Sequence, residues 1–185
     1  MNKTITSKEI ILAASKELVK ESGMLSLNIR DVAKRCDISV GSVYNYFPSK
    51  DDLSIATVEA IWMEILGVEG VECTCSDFQV GVKRFYESVL KGSKDYSFFL
   101  DVHAMSLMDA SKSKGREVMN RFFGSLMRGF IDILEKDPKV RPDAFNEDFT
   151  KEAFVGFVFS NIITLVMNRR TSCDFLLKVI DRIIY

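Results

Sequence analysis

The chain has one histidine, three prolines and four cysteines in 185 residues. Each scarcity excludes something. With a single His, no G-x-S-x-G, no glycine loop able to cradle a phosphate and no metal-ligand cluster, an enzyme is not expected, and neither is a cofactor or a metal. Cys36, Cys73, Cys75 and Cys173 form no C-x-x-C pair and read as reduced thiols. Cys73-Thr74-Cys75 could sense thiol redox state or a soft metal, but no further Cys or His lies nearby to complete a site. The start, MNKTITSKEI, lacks an apolar signal region, so a cytoplasmic protein is expected. The longest apolar run, Ala153–Met167, is broken by Ser160 and Asn161. It falls short of the roughly 18–20 residues that span a bilayer, so no membrane association is expected. Strand-type alternation and internal repeats are also missing.

What is present is helical periodicity. Hydrophobic residues make up 47% of the chain, enough for a buried core. Charge is near neutral overall but split. Residues 1–50 hold eight basic against five acidic residues, and the remainder is net acidic. Apolar spacing predicts helices over Ser7–Glu21, with Ile10, Ile11, Ala14, Leu18 and Val19 inward, and from Ser49 onward, with Leu53, Ala56, Ala60, Met63 and Ile65 inward. Further helices are predicted near Asp77–Leu90, Tyr96–Asp109, Gly115–Glu135, Asp148–Asn168 and Cys173–Ile184. The pattern breaks at Gly67–Ser76. The fold class is all-α, with about nine helices.

The most informative stretch is LSLNIRDVAKRCDISVGSVYNYFPSKDDL, Leu25–Leu53. Asn28 can cap a helix whose Ile29, Val32 and Ala33 share one face. Asp37 sits at a turn and tolerates left-handed geometry. Ser39 can cap a second helix, Val40–Tyr46, which Pro48 stops. That pattern is a helix-turn-helix. Val43 and Phe47 anchor the second helix, four residues apart. Its other positions are Ser39, Val40, Gly41, Ser42, Tyr44, Asn45 and Tyr46, small, polar or phenolic, with no acid among them. Such a surface suits a DNA major groove, where short side chains let a helix sink in and donors meet base edges and phosphates. Val40 offers only methyl contact, which fits a thymine methyl. Gly41 costs helix stability, which points to a close approach there.

These residues resemble the N-terminal DNA-binding domain of TetR/AcrR regulators. The family's run of hydrophobic-Arg-x-hydrophobic-Ala, a turn, then Gly-Ser/Thr-hydrophobic-Tyr-x-Tyr/His-Phe-x-x-Lys-x-x-Leu is met by Ile29, Arg30, Val32, Ala33, Gly41, Ser42, Val43, Tyr44, Tyr46, Phe47, Lys50 and Leu53. The resemblance covers about residues 5–60. Cys36 and Asp37 stand where the family usually has alanine and glycine, and Val40 where a polar or basic residue is frequent. The resemblance implies a three-helix head over 1–50, a connecting helix over about 50–66, and a helical ligand-binding and dimerisation body over 51–185. It implies contacts with double-stranded DNA at a palindromic operator from Asn28, Arg30, Ser39, Val40, Gly41, Ser42, Tyr44, Asn45, Tyr46 and Lys50. It also implies a homodimer that acts as a repressor and is released by a small molecule. The alternative is a TetR-like adaptor answering to a protein partner.

In the body, Ala153–Met167 is apolar on every side of its axis, which calls for cover all round. A second subunit is the economical source, with Phe154, Phe157, Val158, Ile162, Leu165, Leu176 and Ile180 as the expected interface; a central helix of a monomer is the alternative. Trp62, Phe85, Phe99, His103, Met119, Phe122, Phe123, Met127 and Asn161 are candidates for lining an effector site. Core packing is the competing reading of each. The missing charge clusters favour an apolar or aromatic effector.

Overall fold

The computed structural model describes residues 6–66, 76–96 and 113–185. All regular structure among them is helical. In chain order the elements are α1 (Lys8–Ser22), a 3-10 turn (Met24–Ser26), α2 (Ile29–Arg35), α3 (Val40–Tyr46), α4 (Lys50–Leu66), α5 (Phe78–Asp95), α6 (Ser113–Lys136), α7 (Lys151–Met167) and α8 (Asp174–Ile184). The all-α expectation holds. The helix predicted over Tyr96–Asp109 lies, from residue 97 onward, outside the described residues, as does the break over 67–75. The chain divides into two compact units, Met1–Glu64 with Ser93–Met119, and Ile65–Gly92 with Asn120–Tyr185.

The first unit is written largely in local signals. Ser7 caps α1 through the Ile10 amide. Gly23 ends it with φ 80° and returns its N–H to the Val19 carbonyl, a backbone geometry that side chains disfavour. The buried line of α1 is Ile11, Ser15 and Val19, with the Ser15 hydroxyl donating to the Ile11 carbonyl. Ile10, expected inward, is instead exposed. In α4 the buried line is Leu53, Thr57, Ile61 and Ile65, joined by Trp62, while Met63 points outward, contrary to expectation. Both errors have one cause. A serine or threonine that returns its hydroxyl to its own helix, as Thr57 does to Leu53 at 2.7 Å, can occupy a core position that a search for apolar periods passes over.

A polar node completes this unit. Glu64 on α4 accepts hydrogen bonds from Lys16 and Lys20 of α1 and from the Tyr96 hydroxyl. Lys20 also lies over the Tyr96 ring at 4.9 Å. Burial would raise the Glu64 carboxyl, but these donors hold it below its ordinary value. Burial, then the Glu64 charge, push the Tyr96 phenol up to about 12.

The second unit is built on aromatic packing. Phe78 and Phe85 of α5 each meet Phe130 of α6 edge-on, with centroids 6.1 and 5.2 Å apart. Phe154 and Phe159 of α7 pack on Phe78 and Phe85 respectively. Such pairs contribute about 0.5–1.5 kcal/mol each beyond area burial. The buried Asp137 carboxylate accepts from the Phe78 amide at 2.8 Å and from the Tyr185 hydroxyl, joining the start of α5 to the end of the chain. At Gly92 a Cβ would overlap the Ile65 side chain, so the crossing of α4 and α5 is closer than any other residue allows.

Candidate nucleic-acid interface

Each cap expected in the first unit is formed. Asn28 Oδ1 accepts from the Asp31 amide at 3.0 Å, Ser39 Oγ from Ser42 at 3.0 Å, and Ser49 Oγ from Asp52 at 3.1 Å. Asp37 takes φ 53° between α2 and α3, in the left-handed region that Asp tolerates. The Ile38 amide bonds back to the Ala33 carbonyl, closing the turn. α2 packs against both α1 and α3. Val43 and Phe47 are buried, as their spacing requires.

The other side of α3 is turned out. Val40, Gly41, Tyr44, Asn45 and Tyr46 are exposed, with Ser39 at the cap. Their polar groups differ in what they have already spent. Ser39 and Ser42 hydroxyls are bonded to each other at 2.8 Å. Tyr46 donates its hydroxyl to the Thr6 carbonyl at 2.7 Å. Tyr44 and Asn45 side chains have no protein partner among the described residues. Asn28 is half-buried and engaged as a cap, and its amide nitrogen also donates to Asp31. A Cβ added at Gly41 would meet nothing nearer than Ser39 Oγ at 3.7 Å. Nothing within the chain requires glycine there.

The cations sort in the same way. Lys16 and Lys20 are held by Glu64, and Arg35 by Glu21 through two hydrogen bonds of 2.8 and 2.6 Å. The Arg35 partner holds the Glu21 carboxyl below its usual range. Arg30, Lys34 and Lys50 are exposed with no ion pair among the described residues. Lys34 was not anticipated, although its place four residues after Arg30 puts both on one face of α2.

With this geometry in hand the comparisons are decisive for the head. Residues 11–57 match the family model described as bacterial regulatory proteins, tetR family. The head is a TetR-family DNA-binding domain. The chain's fold is shared with several solved proteins. It is 18% identical to a TetR transcriptional regulator from Legionella pneumophila, with all of both chains covered and a TM-score of 0.65. It is 18% identical to a TetR-family member from Streptomyces coelicolor A3, covering 96% of this chain and 98% of that one, with a TM-score of 0.66. The multidrug binding protein EbrR, solved with imidazole, is 17% identical, with 96% and 89% covered and a TM-score of 0.65. No curated protein matches the sequence.

Beyond the TetR-type head, the expected body sites are placed as follows. Trp62 and Phe85 are buried, and Phe122, Phe123 and Met127 are half-buried on α6. Phe99, His103 and the Met119 side chain lie outside the described residues. Asn161 is not a polar group set in apolar surroundings. It is partly exposed and donates to the Phe157 carbonyl of its own helix at 2.8 Å. The interstice lined by Phe78, Phe130, Val155, Val158, Phe159 and Ile162 has no room for a water molecule.

The expected interface residues divide. Phe154, Val158, Ile162, Leu176 and Ile180 are buried within the single chain, and Leu165 is half-buried. Within the single chain, α5 and α6 cover one side of α7. Phe157, Met167 and Phe175 remain outward, the last 81% exposed. Met167 and Phe175 were not singled out from sequence, since nothing in an all-apolar pattern says which side faces out. Cys36 and Cys173 have thiols raised by burial, which disfavours the reactive thiolate. Among the described residues no helix is long and apolar enough to cross a membrane, and no cluster could hold a metal.

Proposed function

We propose that this TetR-type regulator is a cytoplasmic repressor that binds a palindromic operator as a homodimer and is released by a small apolar or aromatic molecule. The observation that carries the DNA part is the outward side of α3, free of acids, with Tyr44 and Asn45 side chains that have no partner among the described residues, flanked by Arg30, Lys34 and Lys50, which have no ion pair among them. Short side chains admit the helix to the major groove, Val40 offers a methyl contact to thymine, and Lys50 meets a phosphate. The dimer is supported by the outward apolar groups Phe157, Met167 and Phe175 on α7 and α8. Two heads about one DNA turn apart then read two half-sites. The functional division is a reading head over 1–50 and a responding body over 51–185. The effector class is supported by the aromatic-rich body and by the fold shared with a multidrug binding protein solved with imidazole. A second reading, an adaptor answering to a protein partner, is favoured by the closed interstice between α5, α6 and α7.

The test is selection of bound DNA from a random pool, repeated with a library of apolar and aromatic small molecules. Enrichment of an inverted repeat whose half-site centres lie roughly 34–36 Å apart supports the first part. Absence of any enriched sequence overturns it. Release by a library member, with DNA weakening that ligand by the same factor, supports the second part. A ligand that binds without shifting operator affinity favours the adaptor.

A further inference from the structure

α3 carries two phenols, Tyr44 and Tyr46, exposed to a similar degree, 47% and 40%. Two residues apart, they project about 200° apart around the helix axis. They therefore flank the buried anchors Val43 and Phe47 on opposite sides. Their hydroxyls are in different states. Tyr44 has no protein partner among the described residues. Tyr46 donates to the carbonyl of Thr6, immediately before the cap of α1, at 2.7 Å. A phenol has one proton to give. While it goes to Thr6, Tyr46 can only accept, and a phosphate oxygen has nothing to offer an acceptor. A second tie runs beside the first, because the Lys8 ammonium sits 5.6 Å from the centre of the Phe47 ring. Thr6 itself is half-buried. Neighbouring residues at the end of α3 thus hold neighbouring residues at the start of α1.

Resting on the DNA-binding reading of α3, we propose that Tyr46 is a positioning residue rather than a phosphate donor: its hydroxyl straps the entry of α1 to the last turn of the recognition helix and leaves Tyr44 as the phenol that donates to the DNA backbone. The strap has a physical purpose. A seven-residue helix is not stable alone, and its tilt is set by what grips it. Val43 and Phe47 grip one side, and the Tyr46–Thr6 bond fixes the rotation that those two apolar contacts leave open.

The experiment has one arm without DNA and one with it. In the free full-length protein, Y46F should speed amide exchange at Ile11 and Leu12 about fivefold, the loss of one net hydrogen bond, while Y44F leaves these amides unchanged. In the second arm, each phosphate of the selected operator is replaced in turn by a methylphosphonate of either configuration, which removes one acceptor oxygen. Y44F should weaken the unmodified operator roughly tenfold and cost much less at one modified phosphate per half-site. The cost of Y46F should be the same at every phosphate. Unchanged exchange in Y46F, or a single phosphate at which its cost vanishes, overturns the assignment. If the wild type selects no DNA sequence, the regulator reading fails, and the exchange arm still decides the strap.

Discussion

α3 and α7 both put serine, asparagine and aromatic side chains on an outward face, yet they differ in how many of the polar groups are already engaged. On α7 each is spent on the helix itself. Ser160 donates to Gly156, Asn161 to Phe157 and Thr164 to Ser160, all at 2.8–2.9 Å. The outward side of α7 therefore asks for fewer hydrogen bonds, Asn161 keeping one N–H and its carbonyl oxygen, and shows Phe157 and Met167 between these groups. On α3 the Ser39, Ser42 and Tyr46 hydroxyls are engaged, while the Tyr44 hydroxyl and the Asn45 amide have no partner among the described residues. A face whose donors are already used suits packing against protein, where an unmet donor would cost about 1–3 kcal/mol. A face that keeps its donors suits a partner made of acceptors, which a nucleic-acid backbone is.

The largest effect should come from making the α7 and α8 face unsuited to protein. F157E combined with F175E should give folded monomers by sedimentation, since both side chains are exposed in the single chain, with a melting temperature lowered by the loss of the dimer's concentration-dependent stabilisation. Operator affinity should then fall by on the order of a hundredfold as binding of the two heads is uncoupled. A dimer that survives both changes, or a wild type that is already monomeric, breaks the contrast between the two helices. Next is K50A, expected to weaken all DNA sequences alike by about tenfold and to lower the salt slope by about one. Loss confined to the operator with the slope intact would remove Lys50 from the phosphate set. G41A separates the needs of the fold from those of the partner. Because space is open around Gly41, the fold should gain up to about 1 kcal/mol in urea unfolding. Operator affinity should nevertheless drop severalfold, and undiminished binding would mean that no backbone comes close there.

The smallest effect is a pH dependence. Glu64 is held below its ordinary value of 4.5, so the folded form favours its carboxylate. The stability of the wild type over E64Q should be present above pH 4.5 and disappear as pH falls through the lowered value. An advantage that persists in acid would show that packing, not charge, sustains the node with Lys16, Lys20 and Tyr96.

The head was legible because its instructions are local. Asn28, Ser39 and Ser49 cap where their positions say, and Asp37 turns where a glycine would be expected. Orientation around a helix axis was less legible. Ser15 and Thr57 are core residues in polar form, so the true faces of α1 and α4 ran one position away from the apolar pattern and left Ile10 and Met63 outside. In α7 the apolar pattern covers both sides, and only the packing of Phe78 and Phe85 from α5 shows which side is taken. The spent hydroxyl of Tyr46 depends on a carbonyl forty residues away, which no motif encodes.

The pairing of Arg35 with Glu21, and of Lys16 and Lys20 with Glu64, has a consequence for how such a protein finds its target. Cations occupied by carboxylates displace no counterions from a duplex, so they add little to the grip on arbitrary sequence. A genome offers millions of wrong sites for each right one, and every molecule parked on them is lost to the operator. By neutralising part of its own positive charge, the head limits that loss. Occupancy inside a cell is then set more by fit to the correct half-site than by attraction to DNA as a polyanion.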